Sequence, residues 1–377
     1  MIRKKGIAVI LILVMVVAFS GCGNNTNTSD DEVIVIKVAE WLADTHPMTT
    51  SLKYLEKIVE ERTDGKIDIQ VYPNAQLGSE ETYIDAVIQG TIEMGVPGTM
   101  LSKYSPGIAV CEWPFLFSTW DQVRYVYHES SIGTDITANL PEEVGVRNLG
   151  FTVNGFSEFS CKSELKTIDD FKGLKYRAAN LDYHISMIEN LGANPVPLPF
   201  SEVYTSLESG VIVGQYNPYA TIYASNLYEY EVQDYALESH HMFHPCQWII
   251  NEEFYQSIPE DLRKIFDECV QEALDYNWEI SEQYDEEAKQ QCIDAGMTIN
   301  VLADDARAEI IEAMQPTYEL FEKNYPGSQA WVDKIYAELE SKGLMETKIS
   351  GNTLYHTRKE DVHKGILRTY KNGGLNS

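Results

Sequence analysis

Arg177 and Asn217 are the two residues whose chemistry is most suggestive, and both lie in one stretch rich in proline and glycine. A guanidinium is a planar fork of donors that matches a carboxylate with two parallel, charge-assisted hydrogen bonds. The Asn217 amide offers a donor and an acceptor, and Pro218 stiffens its loop. These residue types suit a carboxylate ligand. The alternatives are an Arg177 that pairs with an acid of its own domain and an Asn217 that serves only its own turn.

The segments around these two residues alternate between strand and helix patterns. Residues 174–178 (LKYRA) alternate apolar and basic side chains, which predicts a half-buried strand ending near Arg177. The predicted elements that follow are a helix (181–191), an extended proline-rich strand (195–199), a helix capped by Ser201 (201–210) and a strand (211–213). This order is typical of a parallel sheet, in which ligands collect beyond the carboxyl ends of the strands. We expect Arg177 and the 215–217 loop to meet there.

Three motifs occur in order along this stretch: 171–177 (FKGLKYR), 192–207 (GANPVPLPFSEVYTSL) and 214–218 (GQYNP). Together they resemble the solute receptors of tripartite ATP-independent periplasmic (TRAP) transporters, the C4-dicarboxylate-receptor or DctP family. The joint match is far more specific than any single motif. Segments 76–78 (QLG) and 113–117 (WPFLF) and a long acidic helix also match, so the resemblance covers about residues 35–340.

The resemblance implies an α/β fold of the periplasmic-binding-protein type, with two lobes, hinge strands and a long bracing helix. Lobe I is expected from residues 33–154 plus 243–282, and lobe II from residues 155–242 plus 283–342. The implied function is capture of a small organic acid between the lobes and its delivery to the membrane subunits of a TRAP permease. No catalysis and no cofactor are implied. The alternatives are an ABC-type or sensor-associated solute receptor and, from a different class, a lipid-anchored hydrolase.

The resemblance also suggests ligand contacts. Phe200 matches the family's aromatic residue and is expected to cover the apolar part of the ligand, and Tyr216 stands where relatives often carry Glu. At Ser157 the family has a second ligand arginine. Because Glu40 and Trp41 end the first strand, we hypothesise a ligand with one carboxylate and a polar, hydroxylated or amino group facing Glu40 and Ser157. The alternative for Glu40 is a surface salt bridge.

The amino terminus has the features of a lipoprotein leader. Basic residues 3–5 precede an apolar run at 7–19 and the sequence FSGC, which ends at Cys22. This pattern predicts a signal peptide over 1–21 and a lipid anchor on Cys22. The small polar residues that follow predict a flexible tether over 22–32. We therefore expect the protein at the extracytoplasmic face of the bacterial cell membrane.

The chain is strongly acidic, with a formal net charge of −29. Cleavage of the leader removes three of the 29 basic residues and none of the 58 acidic ones, so the charge becomes −32. Such a charge argues against nucleic acid or an anionic membrane surface as a partner. Solvated acidic faces explain most of it, and an anionic ligand needs local positive charge at its site.

Other residue clusters give little support for catalysis or metal binding. Residues 155–159 (GFSEF) lack the final glycine of a nucleophile elbow. The five cysteines beyond Cys22 show no metal-ligand spacing, so neither a disulfide framework nor a zinc site is predicted. His240, His241 and His244 suggest a metal, but a structural role is favoured because they lie in a predicted strand.

The rest of the chain also alternates between predicted strands and predicted helices. Strands are predicted at 33–38, 67–71, 94–96 and 147–154, a returning strand at 235–244, and helices at 52–65, 79–90 and 259–296. The last helix is long enough to brace both lobes, at roughly 55 Å. The tail at 343–377 is polar and basic, lacks a sustained pattern and has no assigned role.

Overall fold

The structure, a computed structural model, describes residues 33–229 and 231–345, together with the backbone of the short segments 354–356, 368–371 and 374–375. The predicted leader, the Cys22 anchor and the tether lie outside these residues. Among the described residues, no helix combines the length and the apolar character needed to cross a membrane.

The first part of the chain follows its alternating pattern closely. Its elements are β1 (Ile34–Ala39), α1 (Pro47–Arg62), β2 (Ile67–Tyr72), α2 (Glu80–Ile88) and β3 (Met94–Gly95). The strands are parallel, with β1 between β2 and β3. Helix α1 begins where the His46 imidazole accepts a hydrogen bond from the Met48 backbone N–H, and its apolar side packs on the sheet.

Short helices lead from β3 to the centre of the sheet. They comprise two 3-10 segments (Met100–Lys103 and Pro106–Glu112), α3 (Trp120–Arg124), a π-helical turn (Tyr125–Glu129), α4 (Ile132–Thr137) and α5 (Leu140–Glu143). The second 3-10 segment is buried at its carboxyl end and places Glu112 inside the protein.

The remaining elements complete the sheet and cover it. In order they are β4 (Val146–Cys161), β5 (Lys175–Ala178), α6 (Asp182–Asn190), β6 (Asn194–Pro197), α7 (Val203–Glu208), β7 (Gly214–Asn217), α8 (Tyr219–Ala224), β8 (Tyr235–Asn251), α9 (Glu252–Ser257), α10 (Glu260–Asp294), β9 (Thr298–Val301), α11 (Asp304–Ala313), α12 (Gln315–Asn324) and α13 (Ser328–Ser341). Two further 3-10 turns, Ile168–Phe171 and Phe200–Glu202, precede β5 and α7.

One nine-stranded sheet joins these strands in the order β2-β1-β3-β8-β4-β7-β5-β6, with β9 paired to β8. The long strands β4 and β8 run antiparallel through its centre. Three register shifts interrupt their pairing, as expected where bulges bend a strand. The parallel group β6-β5-β7 that carries Arg177 and Asn217 is thereby fixed to the rest of the sheet through β4.

The predicted strand at 147–154 is too short. Strand β4 continues without interruption to Cys161, so residues 155–157 lie within it rather than after it. Gly155, which suggested an end, has φ of 126° at a register shift and lets Pro218 approach closely. Two smaller predictions are also wrong: the strand expected at 211–213 is β7 at Gly214–Asn217, and α7 begins after Glu202 rather than at a Ser201 cap.

Helix α10 confirms the predicted long helix and spans 35 residues. It packs against α1, β4 and α8. Phe266 and Cys269 belong to the hydrophobic cluster around α1 and β1, whereas Ala288 and Cys292 belong to the cluster around α7 and α8. One continuous helix therefore contributes to two separate hydrophobic clusters. In the tail, the structure places three short antiparallel strands: β10 (Leu354–His356), β11 (Arg368–Lys371) and β12 (Gly374–Leu375).

Gly214 leaves no room for a side chain. A Cβ there would lie 2.9 Å from the Ser160 carbonyl oxygen and closer still to the ring of Tyr176, whose hydroxyl donates to the backbone of Ser160 and Gln215. We expect Gly214→Ala to lower the free energy of unfolding by about 1–3 kcal/mol, which thermal melting can measure. Gly107→Ala is the control, since no atom of a residue beyond its own local chain lies within 4 Å of its Cβ position. Equal melting temperatures for the two variants would contradict this account.

Candidate functional site

A small cleft, about 30 Å³ in volume, opens beside the carboxyl ends of β5 and β7. Its walls come from the ends of several strands and from the loops that follow them. The lining residues are Trp41, Glu80, Gly98, Thr99, Asn154, Arg177, Ala179, Phe200, Tyr216, Asn217, His244 and Cys246. The structure thus brings together five of the seven predicted ligand residues: Trp41, Arg177, Phe200, Tyr216 and Asn217.

Arg177 is only 7% exposed, yet few protein groups bond to it. Its Nε donates to the Leu198 carbonyl oxygen at 3.2 Å, and its guanidinium lies 5.7 Å from the centre of the Tyr216 ring. Within the described part of the chain, its two terminal nitrogens make no hydrogen bond. Burial lowers the pKa of Arg177 from its ordinary value, while Tyr216, Glu80 and Glu112 oppose that shift. A buried fork of donors therefore faces the cleft.

Strand β7 supplies Tyr216 and Asn217. The Tyr216 hydroxyl accepts from the Ala179 N–H at 3.1 Å and lies 2.7 Å from Nδ1 of His184. The Asn217 amide nitrogen donates to the side chain of Gln215, and its carbonyl oxygen accepts no hydrogen bond within the described residues. Both side chains are buried and held by neighbours, which fixes their positions around Arg177.

Two aromatic rings from distant segments meet at the cleft. Trp41 follows β1, and Phe200 opens the 3-10 turn before α7. Their ring centres are 4.8 Å apart at an interplanar angle of 75°, an edge-to-face contact. The pair closes one side of the cleft with apolar surface.

Glu40 and Ser157 are both fully buried and are not among the described residues that line the cleft. Glu40 Oε1 accepts from the backbone N–H groups of Trp41 and Leu42 at 2.8 and 3.0 Å. Neither Glu40 Oε2 nor Ser157 Oγ has a hydrogen-bond partner within the described chain. Burial raises the pKa of Glu40 to about 8, so this carboxyl is largely protonated at neutral pH.

Sequence reasoning missed two acids and assigned no ligand role to a cleft histidine. Glu80, at the start of α2, accepts from the Met100 N–H at 2.7 Å, and burial raises its pKa to about 7. Glu112 lies beneath the cleft, with Nδ1 of His244 2.7 Å from its Oε1. The motif at 113–117 adjoins Glu112 and was the available signal, but its acidic neighbour carries no pattern of its own.

The histidines of β8 each occupy a different environment. Nδ1 of His240 lies 3.0 Å from Glu158, and His241 stacks on Phe159 with ring centres 3.8 Å apart. Across residues 33–229 and 231–345, no group of three or more potential ligands is placed to hold a metal ion.

The arrangement around Arg177 is suited to binding an anion.

Residues 38–324 match the model of the bacterial extracellular solute-binding protein family 7, or DctP family. The chain belongs to this family. A C4-dicarboxylate-binding periplasmic protein DctP of Vibrio cholerae is 30% identical over 298 residues, which cover 78% of this chain and 88% of that protein. DctP-family proteins are solute receptors rather than enzymes, and so is this chain.

Solved structures of TRAP periplasmic solute-binding proteins share the DctP-family fold. One from Haemophilus influenzae, with bound L-gulonate, is 33% identical, with a TM-score of 0.76 and coverage of 81% of this chain and 99% of that one. Another from Shewanella oneidensis, with bound succinate, is 27% identical, with a TM-score of 0.76 and coverage of 81% and 99%. These structures confirm the predicted α/β binding-protein fold and its long helix.

The raised pKa of Glu40 predicts a pH-dependent stability. The pKa of the Glu40 carboxyl is 4.5 in the unfolded chain and about 8 in the folded protein. Its stabilising contribution to the free energy of unfolding is therefore fully present below pH 4.5 and is lost as the pH rises through 8. The total loss is on the order of 5 kcal/mol. We expect Glu40→Gln to be more stable than the unsubstituted protein at pH 9, and no more stable at pH 4.

Thermal melting at both pH values checks this expectation. Glu208→Gln is the control, because Glu208 is exposed and its substitution removes the same charge from the surface. If Glu40→Gln and Glu208→Gln respond identically to pH, the Glu40 carboxyl is not held protonated by the fold.

Proposed function

We propose that this protein captures a small organic acid in the cleft, with the ligand carboxylate bound by Arg177. The observation that carries the proposal is the buried guanidinium, whose terminal nitrogens make no hydrogen bond within residues 33–229 and 231–345. A carboxylate matches that fork with two charge-assisted bonds. The L-gulonate and succinate held by related structures are both small acids and support this choice.

The other cleft residues take supporting roles in the proposal. Asn217 binds a second ligand oxygen, Tyr216 lies under the guanidinium, and Trp41 with Phe200 covers the apolar part of the ligand. Glu40 acts indirectly, because its carboxyl holds the backbone of Trp41. Ser157, lying where the family resemblance places a second arginine, adds no positive charge, which favours a ligand with one carboxylate.

Ligand capture in this proposal closes two lobes, residues 33–154 plus 243–282 and residues 155–242 plus 283–342. Trp41 belongs to the first and Phe200 to the second, so their edge-to-face contact links the two across the cleft. Strands β4 and β8 pass between them, and the register shifts near Gly155 offer positions where the strands can bend. A ligand that contacts both lobes only when they are closed shifts the population to the closed form.

Delivery completes the proposed function. The family is extracytoplasmic, and its TRAP members serve a membrane permease, so we assign this chain a permease partner of that kind. The apolar segment at 7–19 and Cys22 support a lipid anchor that keeps the receptor beside the permease. The acidic composition argues against nucleic acid as a further partner.

Substitution of Arg177 tests the binding mode. Arg177→Lys keeps a positive charge but loses the planar fork, so we expect at least a tenfold loss of carboxylate affinity with the fold retained. A thermal-shift screen of carboxylates on the purified protein would identify the ligand, since a ligand at 100 times its Kd adds about 2.7 kcal/mol of stability. Titration calorimetry then compares the variants.

Arg147→Lys is the matched control for Arg177→Lys. Arg147 binds Glu252 through two hydrogen bonds of 2.8 and 2.7 Å and does not line the cleft. Its substitution should leave the affinity unchanged. If a carboxylate binds the Arg177→Lys variant as tightly as it binds the unsubstituted protein, the proposed binding of the carboxylate by Arg177 is refuted.

Replacement of Cys22 tests the anchor. We expect Cys22→Ser to prevent lipid attachment, because a serine hydroxyl does not replace the thiol that carries the lipid. Metabolic labelling with a palmitate analogue, followed by membrane fractionation, measures the effect. Cys111→Ser, which alters a buried cysteine, should be labelled normally. Labelling of Cys22→Ser equal to that of Cys111→Ser would show that the lipid is attached elsewhere.

A further inference from the structure

Glu112 is a buried carboxylate beneath the cleft, held by side chains from two other elements. The Tyr183 hydroxyl on α6 donates to its Oε2 at 2.8 Å, and Nε2 of His184 lies 3.0 Å from the same oxygen. On β8, Nδ1 of His244 lies 2.7 Å from Oε1. Both carboxylate oxygens are therefore committed to this network.

The direction of each hydrogen bond follows from its neighbours. The Ala179 N–H donates to the Tyr216 oxygen, which leaves the Tyr216 hydroxyl to donate to Nδ1 of His184. His184 then carries its proton on Nε2 and donates it to Glu112. Burial by itself would raise the pKa of Glu112, but its interactions with His184 and His244 outweigh burial and bring the pKa to about 2. Glu112 is thus a carboxylate that only accepts.

This direction determines what His244 presents to the cleft. Its Nδ1 must carry a proton, because it faces an acceptor-only carboxylate. In a neutral ring, Nε2 then has a lone pair and no proton. That nitrogen is buried and has no hydrogen-bond partner in the described residues, and the His244 ring lines the cleft. A neutral His244 ring therefore adds a fixed acceptor to the cleft, beside the donors of Arg177.

We propose that Glu112, acting through His244, makes the cleft select an acid whose second polar group is a hydroxyl and disfavour an acid with a second carboxylate. A hydroxyl donates to Nε2, whereas a second carboxylate meets a lone pair backed by the charge of Glu112. The charged or titratable groups around His244 are Glu112, His184, His241 and Arg177. Arg177 is taken up by the first carboxylate, so this inference rests on the proposed function.

Two acids that differ at one end test the selectivity. L-gulonate and D-glucarate share a carbon chain, and the terminal hydroxymethyl group of the first is a carboxylate in the second. By titration calorimetry at pH 7.5, we expect L-gulonate to bind at least tenfold more tightly. Equal or tighter binding of D-glucarate overturns the inference. So does failure of both to bind while other carboxylates do, and that result would leave the proposed function intact. Failure of every carboxylate would refute the proposed function itself.

Glu112→Gln tests whether Glu112 is the positioning residue. An amide both donates and accepts, so it no longer fixes the His244 tautomer. The ratio of the L-gulonate affinity to the D-glucarate affinity should therefore fall at least fivefold. Glu158→Gln is the matched control, since Glu158 is also buried and paired with a histidine, but that histidine, His240, does not line the cleft. It should lose similar stability and keep the ratio. A ratio unchanged in Glu112→Gln contradicts the assignment.

The tautomer of His244 can also be observed in the unsubstituted protein, which avoids any effect of substitution on folding. Nitrogen-15 NMR of the imidazole distinguishes a protonated Nδ1 from a protonated Nε2. We expect the Nδ1–H form at pH 7.5. A proton on Nε2, alone or together with one on Nδ1, would overturn the proposal.

Discussion

The site depends on the burial of one guanidinium, that of Arg177. Moving a charged group out of water costs free energy unless polar partners replace the lost hydration. In the described chain, the direct replacement is limited to the Leu198 carbonyl and the π face of Tyr216, with Glu80 and Glu112 acting at longer range. An anion that reaches the two terminal nitrogens recovers part of that cost. These donors, which have no partner within the described chain, therefore favour anion binding, and they bind an anion well only if the strands hold them in place.

The support comes from the way β5 and β7 are held in the sheet. Strand β5 lies between β6 and β7, and β7 is paired on its other edge with the long strand β4. The Tyr176 ring packs over Gly214 of β7, and its hydroxyl donates to the backbone carbonyls of Ser160 and Gln215. Because Tyr176 and Arg177 are adjacent, the contact that fixes β7 to β5 also fixes the backbone from which the Arg177 side chain extends.

Much of this arrangement could be predicted from the sequence, and the failures have local causes. The strand pattern and the motifs placed Arg177, Phe200 and Asn217 near one cleft because each is set by short-range signals. The end of β4 was misjudged because Gly155 resembles a terminator, although here it provides room for Pro218 inside a bulged strand. The start of β7 was misplaced because the need for glycine at 214 comes from Tyr176, which is distant in sequence.

The network around Glu112 is of a kind that sequence patterns do not reveal. Glu112 is 72 residues from His184 and 132 from His244, so no periodicity links them. In the sequence, each of these residues taken alone resembles either an ordinary core residue or a solvated acid. Only the folded sheet brings the carboxylate and the two imidazoles together. The hydrogen-bond direction at His244 can be assigned only when the partners of all three groups are known.

The strongly negative composition also gives a misleading picture of the cleft. A formal charge of −29 suggests repulsion of any acid, but solvent ions screen exposed charges over roughly 8 Å at physiological ionic strength. Beneath and beside the cleft, burial raises the pKa of Glu40 to about 8 and that of Glu80 to about 7. Glu40 is therefore largely protonated near neutral pH and Glu80 partly so, and the field near Arg177 is more positive than a count of side chains implies. Fold-induced protonation thus makes an acidic protein compatible with an anionic ligand.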